Sequence, residues 1–147
     1  MILKNKDILT YVNTLNEYCG KRLPQRISYA ITRNAKIFAN EIDFYNESLK
    51  KILDSYKEYY VKNENGEPQI DSASGLPMVE SEHKKDFMQE IFELLEIEVE
   101  VTPYFISESL FDYDDEKYDA MSAIDIMNLQ NVLCDKNAEN EGGNQNA

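Results

Sequence analysis

Residues 25–62, QRISYAITRNAKIFANEIDFYNESLKKILDSYKEYYVK, hold neither glycine nor proline and carry apolar residues at alternating spacings of three and four. Ile31, Ala35, Phe38, Ile42, Tyr45, Leu49, Ile52, Tyr56 and Tyr59 keep to one seam, the pattern of a long amphipathic helix packed against other helices. A helix of that extent would span about 57 Å at 1.5 Å per residue, whereas a globule of this size is only roughly 40 Å across. The stretch is therefore expected to protrude, bend or be shared between subunits, with its distal seam from Tyr45 to Tyr59 in need of cover.

Upstream, Ile8, Val12, Leu15 and Cys19 recur at helical spacing and mark a first helix over residues 4–19. Gly20 ends it, and the connection GKRLPQ places Pro24 at the start of the long helix, so the two helices form an antiparallel hairpin. Downstream, residues 63–82 contain Asn65-Gly66, Pro68, Gly75 and Pro77, which forbid helix and give an exposed loop with a weak hairpin. A third helix follows over 83–96, with Phe87, Ile91, Leu94 and Leu95 on one face and Met88 and Phe92 beside them.

The period then changes. Ile97, Val99 and Val101 alternate with Glu98, Glu100 and Thr102, which marks a strand with one buried face. Its partner is the chain start, the 69–79 loop or a second subunit. The acidic segment FISESLFDYDDEKYDAM reads as mostly irregular with a turn of helix. Ser122 and Asp125 then stand in a capping-box relation that opens a last helix over 122–134, with Ile124, Ile126, Met127 and Val132 facing inward. From Lys136 the chain is polar and glycine-bearing, so a single mainly helical domain over 1–135, with one minor β element, is expected to precede a disordered tail over 136–147.

The 147 residues suffice for one domain with a real core. A formal charge of −13 argues against general binding to nucleic acid or to an anionic membrane surface, which both need a cationic footprint. The charge is uneven: residues 1–62 hold 11 Lys/Arg against 7 Asp/Glu, and residues 63–147 hold 4 against 21. The two halves should attract each other, or present an acidic face to a basic partner. Cys19 and Cys134 lie far apart in no metal-ligand spacing and read as reduced, partly buried thiols. The N-terminus lacks the apolar core of a signal peptide and no apolar run reaches membrane-spanning length, so a soluble intracellular protein is expected.

The usual catalytic patterns are missing. His83, the single histidine, lies beside Lys84 and Lys85 and reads as an exposed structural residue. No CxxC, HxxxH or HExxH spacing exists, and the five glycines match neither phosphate-cradling motif. The carboxylates at 112, 114, 115 and 116 fail as an EF-hand, because Lys117 stands where glycine is needed and Ala123 where the bidentate glutamate is needed. No cofactor and no metal are expected, and the reading is of a protein that is not an enzyme.

Arg26, Tyr29, Arg33 and Lys36, spaced by three, four and three, form a stripe nearly opposite the apolar seam. With Lys21 and Arg22 close by, this is the one basic surface, suited to an acidic protein partner or to the chain's own acidic half. Tyr56, Tyr59 and Tyr60 crowd the distal end of the long helix, where packing against the third helix accounts for some and assembly for the rest. These seven residues are the candidate protein-binding set.

Three segments carry a resemblance: LKNKDILTYVNTLNEY, LPQRISYAITRN and FELLEIEVEV. Together they resemble an uncharacterised family, a domain of unknown function, of small proteins from tailed phages and prophages of Gram-positive bacteria. The likeness covers most of residues 2–101 and excludes the 69–82 loop and the tail. It implies a phage origin, a place in the virion or host cytoplasm, and a role in the virion, its assembly or host takeover; it carries over no site residues. A non-catalytic structural or assembly protein acting through contacts with itself or another virion or host protein is the leading expectation. The alternative is an acidic inhibitor of a host nucleic-acid-binding or defence enzyme, with the C-terminal half imitating a phosphate backbone.

Overall fold

In a computed structural model that describes residues 1–137, the chain forms four α-helices and a two-stranded antiparallel sheet. Strand β1 (Ile2–Lys4) leads into α1 (Asn5–Tyr18), the long α2 (Gln25–Ser55), α3 (Ser81–Glu96), β2 (Glu98–Glu100) and α4 (Ala123–Leu133). The mainly helical class with a minor β element, organised on one long helix, is thus the observed fold. The polar tail expected over 136–147 lies outside the described residues from position 138 onward.

Two cores divide the length of α2. The larger packs α1, α4 and the first half of α2 around Leu15, Ile27, Ile31, Phe38 and Leu129, with Leu3, Val101 and Phe111 closing it. The smaller joins the far half of α2 to α3 through Phe87 and Ile91, with Leu49, Ile52, Leu53 and Tyr56 against them. Buried Ile8 and Leu15 confirm the expected face of α1, but its last turn differs: Tyr18 is buried and Cys19 is exposed, so that thiol is not in the core. Tyr18 takes the inner place because its hydroxyl donates to Asp125 Oδ1 at 2.7 Å. Cys134, by contrast, is a buried thiol.

The long helix stops at Ser55, seven residues before the expected end at Lys62. Nothing local breaks it. Tyr56 leaves the helical conformation (φ −107°, ψ 6°), Lys57–Tyr59 tightens into a 3-10 turn, and the Tyr60 hydroxyl donates back to the Leu53 carbonyl. The chain then turns to cover the helix it has just left. The 63–82 segment, expected as an exposed loop with a weak hairpin, is exposed over most of its length and carries isolated antiparallel bridges: Val61 N donates to Met78 O at 2.9 Å, Gln69 N to Val61 O at 2.8 Å and Met78 N to Gln69 O at 2.7 Å, a closed triangle of main-chain bonds. Gly66 makes one corner possible with φ 78°, a conformation costly for any residue bearing a Cβ. Val79, pinned opposite Tyr60, is buried against α3. The seam of α2 therefore finds its distal cover inside the chain, and the mismatch between helix and globule is relieved by shortening it to 31 residues, about 46 Å.

Of the three candidate partners for the 97–102 strand, the chain start is the one used: Ile2 faces Glu100, Leu3 faces Val99 and Lys4 faces Glu98. The carboxylate of Glu96 bridges the ammonium groups of Lys4 and Lys6 at the end of this ribbon. Those hydrogen bonds, aided by the charges of both lysines, hold Glu96 below its ordinary 4.5. The sign follows: the carboxylate's contribution is fully present above that value and is lost as pH falls through the depressed one. Urea midpoints measured from about pH 6 to about pH 3 should therefore fall, and Glu96→Gln should flatten part of that slope.

Two helical faces depart from expectation. On α3, Met88 and Phe92 are exposed, because α2 and the 59–80 segment cover only the Phe87–Ile91–Leu94 edge. On α4, Ser122 and Asp125 form the expected capping box, Val132 is buried and Ile126 packs against the core as expected, but Leu129 and Leu133 take the other inner places while Ile124 and Met127 face outward. Apolar residues lie all round this helix, so the spacing alone does not choose a face; Tyr18 bound to Asp125 does.

Candidate protein interface

Arg26, Tyr29, Arg33 and Lys36 lie on the exposed side of α2, while Ile27, Ala30, Ile31 and Asn34 on the other side are buried. What the sequence does not show is that the middle of the stripe is a built arrangement. Arg33 Cζ sits 4.7 Å from the ring of Tyr104 and 6.0 Å from that of Tyr29, its Nη1 donates to Tyr29 Oη at 3.2 Å, and the two rings meet edge-on at 5.5 Å. A guanidinium over two rings gains from their negative faces while still presenting its remaining N–H donors to solvent.

Tyr104 reaches this place through a residue buried on the opposite face of α2. Asn34, fully buried, accepts from Tyr104 N at 2.8 Å and donates to Tyr104 O at 2.7 Å, so one side chain holds both polar groups of that residue's backbone. The surrounding segment is extended. Val101 N donates to Met1 O and Ile106 N to Leu133 O, both at 2.8 Å, which stretches residues 101–106 from the sheet across α2 to α4. Pro103 favours that conformation at its neighbour Thr102. Neither Asn34 nor Tyr104 is a sequence-derived candidate. The signal for Asn34 was a polar residue between Ile31 and Phe38 on the seam; Tyr104 has none.

The charge distribution is only partly self-satisfied. At the connection between α1 and α2, Arg22 N donates to Asp119 Oδ2 at 2.8 Å and Asp119 N to Arg22 O at 2.7 Å. Lys21 lies 5.9 Å from the Tyr18 ring. Asp125 is held below its ordinary value by the Tyr18 hydroxyl, then by Ser122, with Lys21 adding its charge. Here the N-terminal half holds the acidic half through the Arg22 backbone and the charge of Lys21. Along the stripe it does not: among the described residues, no ion pair joins Arg26, Arg33 or Lys36 to a carboxylate.

The distal tyrosines are engaged within the chain. Tyr56 meets Phe87 edge-on at 5.1 Å, Tyr59 stacks on His83 at 3.6 Å and Tyr60 closes the end of α2. All three are half-buried, and so is His83, which was expected to be exposed. A hydrogen bond from Tyr56 to Glu90, reinforced by desolvation and neighbouring negative charge, pushes its hydroxyl up to about 12. Of the seven candidates, the structure gathers the four of the stripe on one face with Tyr104 and places the three tyrosines in a separate cluster. Among the described residues no three His, Cys, Asp or Glu side chains are grouped as a metal ion needs, and no helix is long and apolar enough to cross a membrane. Compared with known proteins, the chain matches no family model, no curated protein and no solved structure.

Proposed function

We propose that this chain is a non-catalytic phage protein that works through protein contacts, as a structural or assembly component, and that the Arg26–Lys36 stripe is the surface it uses. One observation carries the reading: among the described residues, three cations on one helix face lack a carboxylate partner in a chain of net charge −13, and the central one is held over two aromatic rings. A long cationic side chain held in one geometry loses less entropy on binding than a free one. The partner that fits is an acidic protein surface.

The test is a triple variant, Arg26→Glu, Arg33→Glu and Lys36→Glu, compared with the parent chain. Exposed substitutions of this kind normally change stability by less than about 0.5 kcal/mol each, so thermal unfolding should move little. Particles or lysates from phage-infected cells should yield a defined acidic partner with the parent chain and lose it with the variant. An unchanged partner would remove the stripe from the mechanism. Retention of a basic host protein by both forms, released steeply by salt, would move the function to the acidic half and favour the inhibitor reading.

A further inference from the structure

A second surface, remote in character from the basic stripe and independent of it, lies between α2 and α3. The two helices touch at the distal core, but the C-terminal end of α3 is held by a different element. Asn5 at the start of α1 donates from its side chain to Leu94 O at 2.9 Å and from its backbone to Ile97 O at 3.0 Å. Glu96 is tied to Lys4 and Lys6. With its end anchored there, α3 leaves part of α2 uncovered.

The result is a trough formed by two adjoining hollows of about 150 and 330 Å³ that share Ser48, Leu94 and Ile97. Its floor is apolar, from Phe44, Tyr45 and Ile52 on α2 to Leu94 and Ile97 on the other side. Phe44 is 66% exposed and Ile97 is 49% exposed, a large unsatisfied apolar area for a surface otherwise rich in charge. From Glu41 to Ile52 the trough follows α2 for about 16 Å, the length of three helical turns.

Its rim decides what can lie in it. Glu41 stands on one side and Glu90 and Glu93 on the other, against the single cation Lys51. Among the described residues none of the three carboxylates is in an ion pair. An apolar floor between negative walls complements a helix with an apolar stripe and lysine or arginine on its flanks. A second copy carrying −13 is disfavoured by the same charges. We infer that the trough between α2 and α3 is a docking groove for a basic amphipathic helix of another protein.

The experiment uses the full chain and a synthetic, fluorescently labelled 14-residue peptide of leucine and lysine, with leucines at i, i+4, i+7 and i+11, followed by anisotropy. Saturable one-to-one binding is expected, with Phe44→Ser and Ile97→Ser each weakening it about tenfold, or about 1.4 kcal/mol, by removing apolar surface from the contact. The double change Glu90→Lys and Glu93→Lys should weaken it further while circular dichroism stays that of the parent. Equal binding of a scrambled peptide of identical composition would show attraction to the acidic chain alone and overturn the inference. So would absence of binding, indifference to both serine variants, or a dimer of the parent chain that Phe44→Ser dissociates. The stripe variant Arg26→Glu, Arg33→Glu, Lys36→Glu should bind the peptide undiminished, which separates failure here from failure of the stripe.

Discussion

Phe38→Ala should remove about 4 kcal/mol of unfolding free energy, the upper range for deleting a buried aromatic ring. The ring is fully buried midway along α2, tilted against Tyr11 at 5.9 Å, in the core that α2 shares with α1 and α4. The cluster it belongs to is shared by three helices, so none of them can move in to refill the space without leaving its other neighbours. For a chain of this size such a loss lowers Tm by roughly 10 °C, and urea denaturation should show a lower midpoint with an unchanged slope. A loss below about 1 kcal/mol would mean that the core closes over the gap and that Phe38 does not fix the spacing of the bundle.

Asn34→Leu should cost about 3 kcal/mol although it places an apolar side chain of similar size at a buried position. The loss arises because both backbone polar groups of Tyr104 would lose their partner, and an unsatisfied buried donor or acceptor costs about 1–3 kcal/mol. A second effect separates this variant from Phe38→Ala. Once Tyr104 is released, Arg33 loses the nearer of its two rings, so partner binding through the stripe should weaken at temperatures where the fold is intact. Full stability in Asn34→Leu, by calorimetry, would show that water replaces the side chain and that Tyr104 is not positioned by it.

The architecture was legible where one physical signal dominates. The seam of α2 is an unbroken 3.6-residue repeat, and the cap of α4 is a local pair of side chains, so both follow from spacing alone. The end of α2 was not legible, because Lys57–Lys62 is composed of residues that helices tolerate. It is ended by distant contacts, Glu80 N to Tyr59 O at 2.9 Å and Tyr56 on Phe87. The inward faces of α3 and α4 were read too broadly for a related reason: Phe87, Ile91, Leu94 and Val132 are buried as expected, but Met88, Phe92, Ile124 and Met127 are apolar residues that their neighbours leave exposed. As for the stripe, its four residues could be read from the sequence, but the ring that orders it comes from a residue 70 positions away, held by an asparagine that spacing would assign to packing.

The extended segment at 101–106 also bears on how this chain reaches its fold. A mostly helical protein ordinarily gathers contacts between near neighbours in sequence and folds fast. Here the backbone groups of Val101, Tyr104 and Ile106 bond to the first residue, to the Asn34 side chain on α2 and to the last turn of α4, and each bond closes a long loop before it returns any stabilisation. Folding should accordingly be slower than the helix content suggests, with α1 and α2 paired early and the sheet, the segment and α4 arriving together in the last cooperative step.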